Sequence, residues 1–89
     1  MTITIKDETI SREQIIKLYP VAIIETGEEN ETTHISIEWI DTEGVGKVIV
    51  VGYAIVINFD NLSTKEFFYP TRDEFNNAII DIQKQLSKN

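Results

Sequence analysis

The chain contains no cysteine, two prolines, four glycines and a single histidine. Without thiols it forms no disulfide, no thiolate zinc site and no thiol nucleophile, a composition suited to a reducing compartment, so a cytoplasmic location is expected. Residues 1–7 alternate Thr and Ile before turning acidic, and so lack the basic and apolar regions of a secretion signal. The longest apolar run, Val48 to Ile57, covers about half of the ~20 residues that a membrane-spanning helix needs, and Gly52 and Tyr53 interrupt it. It reads as a strand, and no membrane partner is expected. The most local absence is of positive charge: from Leu18 to Gly46 there is no Lys or Arg.

That same stretch holds seven carboxylates: Glu25, Glu28, Glu29, Glu31, Glu38, Asp41 and Glu43. The chain has fifteen acids and eight bases, so setting these seven aside leaves eight acids against eight bases, and the net charge of −7 resides in one segment. A field of one sign governs which partners approach rather than which fold forms. The seven are therefore the candidate partner-binding residues. The bases, from Lys6 and Arg12 to Lys84 and Lys88, are scattered among acids and make no basic patch, so no direct contact with nucleic acid is expected.

Eighty-nine residues, 42% hydrophobic and 26% charged, suit one domain over residues 1–89. Thr2 to Lys6 alternates as a short strand. Ser11 with Gln14 three residues on spells a capping box, which predicts a first helix over Arg12 to Tyr19 that Pro20 ends. Val21 to Glu25 and Thr33 to Asp41 read as strands flanking a polar hairpin tip at Thr26 to Thr32, and Asp41 to Gly46 as a turn in which Gly44 and Gly46 supply positive φ. Lys47 to Asp60 is apolar on both parities and should be the central strand, with Gly52 the place for a bulge; splitting this run at Gly52 into two strands is the rival parse. Thr64 to Tyr69 is the last strand. Thr71 and Glu74 form a second capping box ahead of Phe75, Ala78, Ile79, Ile82 and Leu86, which make a single helical stripe expected to lie across the large-residue face of the central strand. The order β-α-β-β-β-β-α predicts an α+β fold: an antiparallel sheet of four or five strands with a C-terminal amphipathic helix packed on one face.

No catalytic pattern survives a geometric check. His34, Ser36 and Glu38 share one strand face but are spaced ~6.6 to 6.8 Å apart along it, too far for nucleophile activation. Gly44-Val45-Gly46-Lys47 is no phosphate loop, because Asp41 stands where that motif needs Gly, Val48 where it needs Ser or Thr, and a strand rather than a helix follows. The acids lack calcium-loop spacing and lie in turns where water solvates them. No metal, cofactor or catalytic residue is assigned.

An acidic surface can occupy a basic groove that normally takes nucleic acid. In size and acidity the chain resembles small phage-encoded anti-CRISPR and anti-restriction inhibitors; no motif carries the likeness, and no family is assigned. The sequence thus points to a non-enzymatic binding protein, an inhibitor or accessory factor for a partner with a basic surface. The alternative is a structural homodimer joined through the Val48, Val50, Ala54 and Val56 face, which needs a cover, with the acids only solubilising it.

Overall fold

In the computed structural model, which describes residues 1–28, 31–44, 46 and 48–87, the N-terminal segment folds on itself. Thr2–Ile5 (β1) and Glu8–Ser11 (β2) form a separate two-stranded hairpin. Their two-residue turn places Lys6 (φ 48°) and Asp7 (φ 67°) both in the left-handed region, the geometry that matches strand twist in tight hairpins.

The expected first helix is a strand. Only Arg12–Gln14 makes a helical turn, of the 3-10 kind, and Ser11 supplies no side-chain cap. Ile15–Glu25 (β3) then runs extended and pairs antiparallel with Val50–Phe59 (β5) from Ile15↔Phe59 to Ile24↔Val50. A long ladder on a buried strand outweighs a local capping pattern. Pro20, expected as a stop, lies inside β3 opposite Ile55. Its neighbours Tyr19 and Val21 have the parity that faces β5, so the nitrogen that cannot donate faces the other side, where no strand is paired beyond Val21.

Thr32–Ser36 (β4) returns along β3, and Thr64–Tyr69 (β6) returns along β5, giving one antiparallel sheet in the order β4-β3-β5-β6. The strand expected over Thr33 to Asp41 ends at Ser36. There the Ser36 hydroxyl accepts the Trp39 N–H at 3.1 Å and caps a short helix, Ile37–Trp39 (α1), which continues as a π-helical turn over Ile40–Gly44. This segment crosses β3 on its way to β5, packing Ile37, Trp39 and Ile40 against Ala22 and Ile24. Gly44 is needed for contact rather than for positive φ, since a Cβ there would lie 2.6 Å from the Trp39 ring.

The C-terminal helix, Arg72–Ser87 (α2), matches the expected stripe. Phe75 and Ile82 are buried, with Ala78, Ile79 and Leu86 beside them, against Ile55, Ile57, Phe67 and Tyr69 of the sheet and Ile3, Ile5 and Ile10 of the hairpin. Thr71 Oγ1 accepts the Glu74 N–H at 3.2 Å and satisfies one free helix-start donor. The fold is thus α+β, with a four-stranded antiparallel sheet and a C-terminal helix, while β1 pairs apart from the main sheet.

A bulge adjoins Gly52, as expected, and it alters which residues share a face. Ile23 pairs with Gly52 but Ile24 pairs with Val50, so Val51 is the extra residue and parity reverses beyond it. Val48 and Val50 therefore join the helix-side cluster of Ala22, Ile24 and Ile40, while Ile49 and Val51, expected inside, are 63% and 40% exposed. The opposite face reduces to Val21, Ala54 and Val56, with Tyr19 and Ile23 around them.

Ile82→Ala should destabilise the protein by ~2 to 5 kcal/mol in denaturant unfolding, and Ile82→Asp should abolish cooperative melting. Leu62 sits in the β5–β6 turn at φ 68° and 94% exposed, so replacement costs no packing. Leu62→Gly should raise stability by up to ~1 kcal/mol; a lower melting temperature would show that the turn carries no strain.

Candidate functional site

The acidic segment occupies the β3–β4 hairpin tip and the crossover that follows β4. Glu25 ends β3 opposite Thr32, and the tip closes through Thr26 N–H to the Glu31 carbonyl (3.3 Å) and Glu31 N–H to the Glu28 carbonyl (3.2 Å). Glu25, Glu28 and Glu31 are exposed; Glu29 lies outside the described residues. Glu38 sits in α1 and Asp41 and Glu43 in the π-helical turn, all exposed. The six described residues thus fall at two places, the hairpin tip and the far end of β4, because β4 itself runs between them.

One of them is neutralised. Arg72, the first residue of α2, donates from both terminal nitrogens to the two Asp41 carboxylate oxygens, each at 2.9 Å, and its guanidinium lies over the Tyr53 ring. The hydrogen bonds from Arg72 hold the Asp41 carboxyl below its ordinary 3.8, and the same contact raises the Arg72 guanidinium. Paired twice, Asp41 serves to fasten the crossover to the start of α2. Among the described residues, Glu25, Glu28, Glu31, Glu38 and Glu43 have no ion-pair partner.

His34 does not join Ser36 and Glu38. Its Nε2 lies 2.6 Å from Glu66 of β6, so side chains from the two outer strands meet above the sheet face that the sequence left without a cover. Both are close to half exposed, which makes the pair modest in energy, but the Phe68 ring also lies over Gly52, where a Cβ would fall 2.4 Å from it. Beneath, Val21, Ala54 and Val56 are buried, and among the described residues no further element packs on them. The His34–Glu66 contact thus spans this face from one outer strand to the other. The sequence holds no signal for the pair, since only the strand order makes β4 and β6 the two edges.

Among the described residues no group of three or more His, Asp or Glu side chains converges as a metal-ligand set. The open clefts among the described residues include one of about 280 Å³ between β1 and α2, lined by Lys6, Tyr69, Asn77 and Asp81, one of about 400 Å³ beside the end of β4, lined by Tyr19, Pro20, Val21 and Ile35 with Lys17 and His34, and one of about 250 Å³ lined by Ser36, Glu38, Trp39, Thr42 and Glu43. Burial pushes the Tyr69 hydroxyl up, with the Asp81 carboxylate adding to it, so Tyr69 stays protonated at neutral pH and cannot serve as a base. Among the described residues no helix is long and apolar enough to cross a membrane. No protein-family model, curated protein or solved structure matches the chain.

Because the folded Asp41 carboxyl ionises more readily than an unfolded one, its contribution is fully present above the ordinary 3.8 and is lost as pH falls through its lower folded value. Asp41→Asn should therefore lower the melting temperature at pH 7, with the difference from the parent shrinking in acid; an equal difference at both would separate Asp41 from that linkage.

Proposed function

We propose that the protein is a small acidic binding module without catalytic chemistry of its own, acting as an inhibitor or accessory factor by engaging a basic surface on another protein, such as one that binds nucleic acid. The observation carrying this reading is the set of exposed carboxylates without ion-pair partners among the described residues, Glu25, Glu28, Glu31, Glu38 and Glu43, on a segment that contains no Lys or Arg. Of the candidates the sequence offered, Asp41 is already bound by Arg72, so its share of the outward field is small.

The chemistry fits steering better than tight static pairing. Exposed carboxylates are solvated and each ion pair they make is worth ~0 to 1 kcal/mol, but several of one sign raise the encounter rate with an opposite surface. Such attraction acts over a screening length of ~8 to 10 Å and weakens as salt rises. The homodimer is the second reading; of the face it would use, Val48 and Val50 pack on the helix side while Ala54 and Val56 lie on the other, with Val21.

Replacing Glu25, Glu28, Glu31, Glu38 and Glu43 together by Gln should leave the melting curve close to that of the parent, because none of these side chains is buried. Capture of a basic protein by the immobilised parent should fall between 50 mM and 500 mM salt, roughly in proportion to the charges engaged, and should be lost in the substituted protein at low salt. Capture that is indifferent both to salt and to the substitutions would overturn the proposal.

A further inference from the structure

We propose that the outer edge of β4 receives an extended cationic segment of the partner as a fifth strand, an inference that rests on the acidic-module reading and specifies how it docks. The orientation of the edge follows from two hydrogen bonds. Thr26 donates its N–H to the Glu31 carbonyl, on the β4 side, and Glu25 donates its N–H to the Ile49 carbonyl, on the β5 side. Backbone groups alternate sides along an antiparallel strand, so Ala22 and Ile24 face β4, and their partners Ile35 and Thr33 face β3. The N–H and C=O of Thr32 and His34, and the N–H of Ser36, therefore point away from the sheet.

The two sheet edges are treated differently. On β6, the Lys6 ammonium donates to the Phe68 carbonyl and Glu8 pairs with Lys65, so the β1–β2 hairpin guards that edge. Among the described residues no strand pairs with the outer side of β4, and Thr32–Ser36 contains no Pro, Lys or Arg, the residues that ordinarily protect an exposed edge. A row of unpaired donors and acceptors is a template for strand addition, in which main-chain bonds give affinity and side-chain clefts give selectivity.

Charge selects the occupant. Glu25, Glu28 and Glu31 lie at one end of the edge, and Glu38 and Glu43 follow the other. A second copy pairing antiparallel about His34 would bring acidic ends together twice, whereas a strand with Lys or Arg at both ends meets opposite charge at each. Where β4 stops at Ser36, β3 runs on, and the cleft lined by Tyr19, Pro20, Val21 and Ile35 opens beside it. Its apolar lining suits one large aliphatic side chain of the incoming strand, and Lys17 in the lining disfavours a cation there.

The test uses the fluorescent peptide Lys-Lys-Thr-Val-Leu-Val-Thr-Lys-Lys and an analogue of equal charge, N-methylated at alternate residues to remove the donors that would face β4. The parent peptide should bind at low salt with chemical-shift changes centred on the amides of Thr32, His34 and Ser36, and the methylated one should bind about tenfold more weakly or less. Thr32→Pro removes an outward N–H and an exposed side chain that has no hydrogen bond or ion pair among the described residues, so it should match the parent in melting temperature and weaken the unmodified peptide by a similar factor. Equal binding of both peptides would overturn strand addition while leaving the acidic-module reading in place. Failure of both peptides at low salt would overturn the two together. Shift changes on β6 would place the docking edge elsewhere and overturn the assignment to β4, and changes at β4 that grow with protein concentration in the absence of peptide would replace the cationic segment by a second copy.

Discussion

The double-sided burial of β5 is the constraint to which the other elements answer. Ala54, Ile55 and Ile57 have no solvent exposure, and Val56 has almost none. A fully buried aliphatic side chain contributes ~1.5 to 3 kcal/mol, so a strand buried on both faces needs a strand on each flank and a cover above and below. β3 and β6 supply the flanks. The α2 stripe and the β1–β2 hairpin cover one face together, Phe75 and Ile82 meeting Ile3, Ile5 and Ile10 over Ile55 and Ile57. Over the other face no second layer packs among the described residues; His34 and Glu66 meet above it, and Phe68 fills the space that Gly52 leaves.

The position of the acidic segment follows from that arrangement. With β3 and β6 both taken up by β5, β4 pairs only with β3, so its hairpin tip and the crossover beyond it lie at the periphery of the sheet. Peripheral carboxylates stay solvated and need no internal partner, which allows many acids in sequence without a folding cost. Asp41 is the exception, because the crossover must come back over β3 to reach β5 and is fastened to Arg72 where α2 begins. Where the crossover meets α2 the charge is paired, and elsewhere on this segment the described carboxylates stay exposed to solvent.

Periodicity makes much of this fold legible, including the first strand at Thr2–Ile5, but not the segment from Arg12 to Pro20. The α2 stripe, the β6 span and the two-faced central strand were all readable, because each buries a pattern that repeats at the spacing of its own element. The capping letters Ser11 and Gln14 misled because the residues after them, Ile15 to Val21, meet β5 from far along the chain, and such long-range pairing leaves no local trace. Pro20 read as a stop because its tolerance depends on which side of β3 is paired. The parity of Ile49 and Val51 was inverted by a bulge whose neighbourhood was legible, through Gly52, but whose consequence for facing was not. At the candidate site the charge imbalance was plain in composition, while the Asp41–Arg72 pair, 31 residues apart, and the identity of the open edge depended on strand order.

Native-state amide hydrogen exchange of the dilute, unliganded protein tests most directly whether a doubly covered β5 leaves β4 as an open edge. The amides of Ala54 to Ile57 should be the slowest in the protein, and those of Thr32 and His34 should exchange faster by orders of magnitude although they lie in the same sheet. Protection at Thr32 and His34 equal to that of Ala54 to Ile57 would contradict both the open edge and the placement of the acidic segment outside the core.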